Sequence, residues 1–323
     1  MRQYIIRRLL ISILILFGVS VILYFVIRMM PSDYITNITS GSTQITAEMV
    51  ENLRRLYGLD GNIFQGYLQW MSNAIRGNFG TSFMYQRPVV EVIASKMGVT
   101  FAMAIVAFFI QLVLGVTLGT ISATRQYSKL DYSVTIFALL GISLPSFFFS
   151  AVLQRVFAVG LGWFPLQGML TARIDHTTKL SYYADMAYHL VLPILVFVVV
   201  NVGRYMRYSR TNMLEVLNAD YIRTARAKGL SEGTVLYKHA FRNTLIPLAT
   251  IIGGALPTLF TGAIITEGIF GIDGLGYTAL QALTKGDVPY LMTFNMFIAV
   301  MTLLGNLLSD ILYGIVDPRV RLS

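Results

Sequence analysis

Cysteine is absent from the 323-residue chain, and charged residues make up only 13% of it. Without cysteine there can be no disulfides, no thiolate metal ligands and no cysteine-bound iron–sulfur clusters. Soluble domains average about 25% charged residues, so the low charge content excludes an ordinary soluble enzyme. Hydrophobic residues form 55% of the chain and are grouped in long runs. This pattern predicts a protein embedded in a membrane.

Catalytic and nucleotide-binding motifs are also absent from the sequence. It contains no G-x-x-x-x-G-K-[ST] phosphate loop, no G-x-S-x-G nucleophile elbow and no H-E-x-x-H metal pair. The three histidines, His176, His189 and His239, are scattered over separate loops or helix ends, so a zinc site is not expected. The glycines of Gly271–Gly276 predict tight turns, since no βαβ unit precedes them. We therefore expect no catalytic residue and no metal or cofactor bound by this chain.

The sequence does contain six apolar windows of about 20 residues or more, the length that crosses about 30 Å of hydrocarbon as an α-helix. Pro145, Pro193 and Pro257 fall inside three of them, where kinks are expected. The fold class predicted is an all-α membrane protein with six transmembrane helices, at 9–28, 99–123, 133–159, 187–205, 245–266 and 291–315.

Basic residues set the predicted orientation. With a cytoplasmic amino terminus, the cytoplasmic segments hold 15 of the 25 Lys and Arg residues and five of the 16 acidic residues, whereas the outward segments hold ten of each. This asymmetry follows the positive-inside rule and explains the net charge of +9 without nucleic acid. We expect a multi-pass cell-membrane protein with both termini in the cytoplasm. The predicted segments between the spans are a cytoplasmic tail at 1–8, an external loop at 29–98, a cytoplasmic loop at 206–244, an external loop at 267–290 and a cytoplasmic tail at 316–323.

The external loop 29–98 is too long for a plain connector, and its pattern predicts two amphipathic helices. The first follows Thr46, ends at Gly58 and has one apolar face formed by Met49, Val50, Leu53, Leu56 and Tyr57. The second runs from Ile63 to Ile75, with Trp70 beside an apolar stripe of Phe64, Tyr67, Leu68, Met71 and Ile75. The two helices either cap the bundle at the membrane interface or form a docking surface for a soluble partner.

The cytoplasmic loop is polar, basic and rich in helix signals. Asp220 is placed to cap a helix that runs through Lys228, and Gly229 can end this helix in a left-handed turn. Ser231 can cap a second helix that extends to about Arg242. The loop is therefore either a pair of short helices hinged at one glycine that serves a partner, or a basic surface that holds anionic lipid headgroups.

Polar residues inside the spans are candidates for a translocation pathway. Arg155 lies near the external end of the third span, where its side chain could snorkel outward or face the pathway. Asp310 lies near the cytoplasmic end of the last span, and pairing with Arg204 or Arg207 would neutralise it. Amide side chains often join membrane helices by hydrogen bonds instead of lining a pathway. The remaining polar candidates are Gln111, Gln154, Asn201, Asn295 and Asn306.

Short motifs occur in a fixed order along essentially the whole chain. They are Ile6–Leu9 (IRRL), Gly77–Ser82 (GNFGTS) with Arg87–Val89 (RPV), Leu144–Phe147 (LPSF), Gly162–Pro165 (GWFP), Asp220–Glu232, His239–Pro247, Glu267–Phe270 (EGIF) with Gly274–Gly276 (GLG), and Asp317–Arg319 (DPR). Together these motifs resemble the B-type transmembrane subunit of ABC importer permeases, in the branch that imports oligopeptides, dipeptides and nickel.

The resemblance implies that the cytoplasmic loop, over 221–243, couples the permease to its ATPases. In the general importer pattern Glu-Ala-Ala is followed by three residues, Gly, nine residues and Ile-x-Leu-Pro. Aligned on Gly229, only Ala225 and that glycine match, so Arg223, Arg226 and Arg242 replace the usual glutamate as the expected charged contacts. The full set of coupling residues implied is Arg223, Thr224, Ala225, Arg226, Gly229, Leu230, Ser231, Glu232, Lys238, His239 and Arg242.

The same resemblance implies a type I importer architecture and ATP-driven uptake of peptides by alternating access. The expected partners are a homologous second permease, two ATPases that bind ATP and Mg²⁺, an extracytoplasmic binding protein and membrane lipid. Import of nickel or another small solute by the same architecture is one alternative. A self-contained channel or secondary transporter is another, although inverted repeats and a buried acid or histidine relay are not evident. A membrane enzyme would need paired carboxylates or a metal cluster within the spans.

The predicted orientation can be tested with reporter fusions. A periplasm-active reporter fused after Gly66 should be active, and a cytoplasm-active reporter fused after Gly229 should be active, because the charge asymmetry places these positions on opposite sides. Exchanging the two reporters provides the control. The opposite pattern at either position would contradict the six-span topology.

Overall fold

The computed structural model describes residues 2–29, 35, 37, 47–56, 61–244, 251, 254, 255, 259 and 264–316. These residues form helices, together with an isolated antiparallel β-bridge between Thr81 and Pro88. The helices are α1 (Arg2–Arg28), α2 (Ala47–Leu56), α3 (Ile63–Ile75), α4 (Val89–Thr124), α5 (Lys129–Ser143), α6 (Ser146–Leu153) continued by the π-helix π1 (Gln154–Gly160), α7 (Lys179–Leu217), α8 (Asp220–Ala227), α9 (Glu232–Thr234) continued by the π-helix π2 (Val235–Phe241), α10 (Ile264–Phe270), α11 (Leu275–Lys285) and α12 (Val288–Val316).

Within the described part of the chain, four helices are long and apolar enough to cross a membrane. Their spanning portions are Tyr4–Arg28, Val89–Thr124, Lys179–Leu217 and Val288–Leu312, which contain or overlap the predicted spans at 9–28, 99–123, 187–205 and 291–315. At 1.5 Å per residue the 36-residue α4 is about 54 Å long, well beyond the roughly 30 Å hydrocarbon core. Helices α4 and α7 therefore extend out of the bilayer, and the cytoplasmic loop predicted from residue 206 begins as a continuation of α7.

The third predicted span, 133–159, is not one straight helix. Helix α5 and the pair α6–π1 are bent by 103° relative to each other. The break falls at Leu144 and Pro145: the proline lacks an N–H group, and Leu144 has extended backbone angles, as residues before proline prefer. The prediction of a kink at Pro145 is confirmed, and the prediction of a continuous span is corrected to two helices that together form a broken span or a re-entrant loop.

The other two prolines give different outcomes. Pro193 lies inside α7, which continues through it from Lys179 to Leu217. Pro257 and the greater part of the predicted span 245–266 lie outside the described residues, as do Thr46, Gly58 and the tail from residue 317 onward. The span predicted at 245–266, the fifth along the chain, therefore remains a prediction.

Among the described residues, helices α4 and α7 form the most extensive contact between helices. Glycines at this contact let the two backbones approach closely. A Cβ atom at Gly115 would lie 2.5 Å from Cβ of Tyr205, and one at Gly119 would lie 2.8 Å from Cβ of Ser209. The two glycines are four residues apart on one face of α4, the small-residue spacing that lets membrane helices approach closely. On the other side of α7, Gly203 approaches the backbone of Ala138 in α5 in the same way.

The segment predicted to be an external loop contains α3 where the sequence predicts it, from Ile63 to Ile75. Only Tyr67 of the predicted apolar stripe is buried, between α1 and α3, where its ring packs against Tyr24 and Trp70. Phe64, Leu68 and Ile75 are exposed although they are strongly apolar. Because α3 is attached along a membrane-spanning helix, these side chains favour the interpretation in which α3 lies at the membrane interface.

The α4–α7 contact makes a stability prediction. Gly119→Ala should lower the free energy of unfolding by about 1–3 kcal/mol, because the added methyl group overlaps the α7 backbone at Met206. Gly98→Ala in the same helix is the matched control, since nothing lies within 4 Å of its Cβ position. That change should be neutral or stabilising by up to about 1 kcal/mol. Thermal unfolding of the purified protein measures both, and a Gly119→Ala midpoint at or above that of Gly98→Ala would contradict the close packing.

Candidate coupling surface

The segment after α7, predicted to be cytoplasmic, folds into two short helices joined by a turn. Helix α8 begins at Asp220, with Ala219 as its N-cap, so the predicted cap residue is instead the first helical residue. An acidic side chain in the first turn still stabilises the helix through its dipole. The second element starts as α9 at Glu232 and continues as π2, whereas a regular helix to about Arg242 was expected.

The turn between these helices has the predicted geometry. Gly229 has a φ of +74°, and its N–H donates to the carbonyl oxygen of Arg226 at 2.9 Å. The N–H of Leu230 reaches back to the carbonyl oxygen of Ala225, which completes a left-handed C-terminal turn. Ser231 then caps the next helix by accepting a hydrogen bond from the N–H of Thr234.

A small apolar core fixes the turn to the membrane helices. Ile222, Val235 and Ala240 are fully buried and pack against Met213 of α7 and Ala123 at the end of α4. Ala225 belongs to the same core. This places Ala225, one of the predicted coupling residues, beneath the surface, so it acts by packing instead of by direct contact with a partner.

The tip of the segment is exposed. Residues 226–233 are all exposed, and Tyr237 on π2 has 74% of its surface accessible. Across the turn, Nε of Arg226 lies 2.8 Å from Oε1 of Glu232, and Arg223 lies 3.5 Å from Asp220. Exposed ion pairs of this kind contribute at most about 1 kcal/mol each, so both arginines can exchange partners readily.

The remaining predicted coupling residues lie around this tip. The hydroxyl of Thr224 donates to the carbonyl oxygen of Asp220 within α8. Lys238 and Arg242 are exposed, and His239 is half-buried. The structure thus gathers the predicted residues into one surface, which we call the coupling surface: an exposed ridge formed by Leu230 and Tyr237 and flanked by Arg223, Thr224, Arg226, Ser231, Glu232, Lys238, His239 and Arg242.

A buried ion pair above this surface was not anticipated. Asp131 in the first turn of α5 accepts from Nε and Nη2 of Arg210 at 2.8 and 2.9 Å, and from the hydroxyl of Ser122. The N–H of Tyr127 donates to the same carboxylate at 3.0 Å. The pair joins α5 to α7, with α4 contributing Ser122. An isolated acidic residue at the start of an apolar helix was the available signal in the sequence.

The predicted pathway residues have separate surroundings and separate hydrogen-bond partners. Arg155 is exposed on π1. The amides of Asn201 and Asn295 donate to carbonyl oxygens one turn earlier in their own helices, at 2.9 and 2.8 Å, and Asn306 is exposed. Among the described residues, no hydrogen bond joins one of these side chains to another.

The two glutamine candidates have different surroundings. Nε2 of Gln154 donates to the carbonyl oxygens of Leu166 and Ile269, so this residue ties the loop after π1 to α10. Oε1 of Gln111 is buried without a hydrogen-bond partner among the described residues. Among the described residues, no hydrogen bond joins either side chain to the other pathway candidates.

Asp310 has a different partner from the one predicted. Its Oδ2 lies 3.2 Å from Nη2 of Arg8 and accepts a hydrogen bond of 2.7 Å from the hydroxyl of Tyr4. The prediction of Arg204 or Arg207 is therefore wrong. The reason is that α12 packs along α1, which brings together residues about 300 positions apart in sequence.

Two of the histidines are also not scattered as the sequence suggested. His176 and His189 lie on either side of Asp185, with their Nε2 atoms 3.2 and 3.7 Å from its carboxylate oxygens. The N–H and hydroxyl of Thr171 donate to the same carboxylate at 2.6 and 2.7 Å. This cluster attaches the loop after π1 to the start of α7, a contact that sequence spacing alone does not encode.

The glycine-rich stretch after α10 surrounds a buried carboxylate. Oε1 of Glu267 accepts from the hydroxyl of Thr100 at 2.8 Å, and Oε2 accepts from the N–H of Tyr277 at 2.9 Å. The hydroxyl oxygen of Thr100 accepts from the N–H of Leu275. Glu267 and Thr100 therefore satisfy the first N–H groups of α11 from outside that helix. Burial raises the pKa of Glu267, and these donors oppose the rise by stabilising the carboxylate.

Close approach explains the glycines themselves. A Cβ at Gly274 would lie 2.7 Å from Oε2 of Glu267, and one at Gly276 would lie 2.9 Å from the backbone of Ile264. The prediction of tight turns captured part of this, since Gly271 has a φ of +61°. The buried glutamate was not anticipated, although a lone acidic residue among apolar ones was a usable signal.

Two family models match the chain. Residues 115–322 match the family described as "Binding-protein-dependent transport system inner membrane component". Residues 1–104 match the model of the N-terminal part of the same kind of membrane component.

Several curated proteins are similar over their full length. The oligopeptide transport system permease protein AppB of Bacillus subtilis is 38% identical over 322 residues, which cover 99% of this chain and 100% of that protein. The oligopeptide transport system permease protein OppB of Haemophilus influenzae is 33% identical, with the same coverage. The di/tripeptide transport system permease protein DppB of Pseudomonas aeruginosa is 34% identical, over 99% of both chains.

The buried carboxylate makes a second stability prediction. Glu267→Gln should destabilise the protein by about 1–3 kcal/mol, because the amide supplies one acceptor in place of two and leaves a buried donor unsatisfied. Glu91→Gln is the control, since Glu91 is exposed and pairs only with Arg87, at 3.5 Å. That change should stay within about 0.5 kcal/mol. Equal thermal shifts for the two variants would show that Glu267 does not hold α11 in place.

Proposed function

The chain belongs to the family of binding-protein-dependent transport system inner membrane components, and we propose that it is a permease subunit that carries peptides through the membrane for an ATP-driven importer. The peptide substrate is proposed from the printed names of its relatives, which are oligopeptide and di/tripeptide permeases. Nickel, another small solute and a self-contained channel are less favoured for the same reason.

The proposal rests on the coupling surface and on its attachment to the membrane helices α4 and α7. Its tip is exposed, while its core of Ile222, Val235 and Ala240 is packed on α4 and α7. A partner that moves the tip would therefore move the cytoplasmic ends of two long helices. Since α4 and α7 are in close contact along Gly115 and Gly119, the displacement would be transmitted into the membrane as a rigid-body motion.

The remaining assembly is proposed on family membership. The chain would pair with a homologous second permease, and two ATPases that bind ATP and Mg²⁺ would dock at the coupling surfaces. An extracytoplasmic binding protein would deliver the peptide to the opposite face. The six-span type I architecture and the cytoplasmic location of both termini belong to this proposal, with residues 245–266 as the additional span.

In this mechanism the chain itself contributes binding and motion. ATP-driven closure of the ATPases would bring the two coupling surfaces together, and the pathway between the two permeases would change from inward-open to outward-open. The left-handed turn at Gly229 orients the tip relative to α8. The ion pair between Arg226 and Glu232 joins the two sides of the turn. Arg223 and Arg242 supply positive charge for contacts with acidic groups of the ATPase.

A matched glycine pair tests the turn. Gly229→Ala should reduce ATP-driven peptide uptake several-fold, because a left-handed conformation costs a residue with a Cβ about 1–2 kcal/mol. Gly98→Ala is the control: it is exposed, lies in helical conformation outside the coupling surface and has nothing within 4 Å. Assembly of the transporter is measured in parallel by co-purification. Normal uptake in Gly229→Ala would contradict a role for the turn geometry in coupling.

The docking itself is tested by crosslinking, since any introduced cysteine is the only one in this chain. Cysteines at Gly233 and Tyr237 should crosslink to a cysteine in the ATPase and change yield with ATP. Cysteines at exposed Gln126 and at buried Val235 should crosslink much less. If Gly233 and Tyr237 give no ATPase adducts in the assembled transporter, the segment is a lipid-binding surface and the proposed coupling is wrong.

A further inference from the structure

Two adjoining cavities lie on the side of the molecule away from the coupling surface, between α1, α3 and α12. The cavity at Arg28, which we call the upper cavity, has a volume of about 280 Å³. It is lined by polar groups of Arg28, Gln69, Asn73 and Asn78. The cavity at Ile13, which we call the lower cavity, has a volume of about 350 Å³ and an almost wholly apolar lining. Trp70 and Phe79 line both cavities, so the two adjoin at these side chains, and we call the pair the groove.

We propose that this groove binds a diacyl phospholipid, with its phosphate in the upper cavity and an acyl chain in the lower one. The occupant is identified by the order of the two linings. Along α1 the apolar cavity is lined from Ile13 to Ser20 and the polar one from Tyr24 to Arg28. Along α12, which runs in the opposite sense, the polar cavity is lined by Val288 to Met292 and the apolar one by Met296.

The dimensions of the groove match one leaflet of a bilayer. Ile13 and Arg28 are fifteen residues apart on a continuous helix, a rise of about 22 Å. Half of a bilayer, headgroups included, measures about 20–22 Å. The polar cavity therefore falls at headgroup depth and the apolar cavity at the depth of the acyl chains.

The chemistry of the upper cavity suits a phosphate ester. Arg28 places a guanidinium there, and a guanidinium stays ionised at every physiological pH and matches phosphate geometry. Asn78 accepts from the N–H of Gly80 through Oδ1, which leaves its amide N–H groups as donors. Nε1 of Trp70 is buried without a hydrogen-bond partner among the described residues. An oxygen of the glycerol ester or phosphate would satisfy this indole N–H at the junction of the two cavities.

Photolabelling of the assembled transporter tests the proposal. The complex is reconstituted in nanodiscs of phosphatidylethanolamine and phosphatidylglycerol that contain a trace of phosphatidylglycerol with a diazirine in its acyl chain. It is then moved into detergent, irradiated and digested for mass spectrometry. Adducts should be retained on Met71, Ile75 and Met296, while adducts on exposed Phe109 and Val113 of α4 should be lost with the bulk lipid.

Three variants define the site. Ala74→Phe fills the lower cavity and should abolish retained labelling, whereas Ala102→Phe, at an exposed position of α4, should leave it unchanged. Arg28→Gln should lower retention about fivefold, the effect of one basic residue on an anionic lipid. Trp70→Phe keeps the ring, removes the N–H and should lower retention by about two- to tenfold.

Several outcomes would overturn the proposal. Equal loss of adducts from the groove and from α4 would mean that only bulk lipid is present. Displacement of the label by glycerol phosphate at millimolar concentration would identify a site for free phosphate esters without a role for the acyl chain. Labelling of the isolated chain but not of the assembled transporter would mean that a partner subunit covers the groove.

Discussion

The close contact between α4 and α7 is the interaction on which the rest of the structure depends. Gly115 and Gly119 bring the two backbones together, and van der Waals packing of this kind is what holds helices together where lipid removes the hydrophobic driving force. Both helices are longer than the hydrocarbon core is thick, so the contact continues beyond it. At this end of the two helices, the buried side chains of α8 and π2 pack against Ala123 and Met213. The coupling surface is thus an extension of the most tightly packed part of the membrane domain.

Polar interactions are distributed in a way that complements this packing. Where two helices must keep a fixed relation, the ionic group is buried and fully hydrogen-bonded, as with Asp131 and Arg210 or with Glu267 against α11. On the coupling surface the pairs are exposed and weak, as with Arg226 and Glu232. Leaving a buried carboxylate without its partners costs free energy, so the buried ionic interactions resist rearrangement. In the proposed assembly, an exposed arginine could exchange a carboxylate of this chain for one on another subunit with little change in free energy.

The sequence predicts those features that depend on local spacing. Apolar windows identify four long helices and the position of the break at Pro145, and turn chemistry identifies Gly229 and the cap at Ser231. It does not predict which residues meet across the bundle. Asp310 pairs with Arg8 because α1 lies along α12, and His176 joins His189 at Asp185 because a loop folds back on α7. No periodicity of the chain encodes such contacts, since they depend on how the helices are arranged.

Glycine shows this limit most clearly, because one residue type serves two different physical purposes here. At Gly229 the backbone needs a positive φ, which neighbouring cap residues reveal in the sequence. At Gly119 and Gly276 the absence of a Cβ permits another backbone to approach, and only the tertiary structure reveals that neighbour. At Gly98 neither reason applies. In the proposed mechanism, close packing at Gly119 holds α4 against α7, and the left-handed turn at Gly229 orients the exposed tip. The two glycines would then serve one mechanical purpose through different properties, one by close packing and the other by conformational freedom.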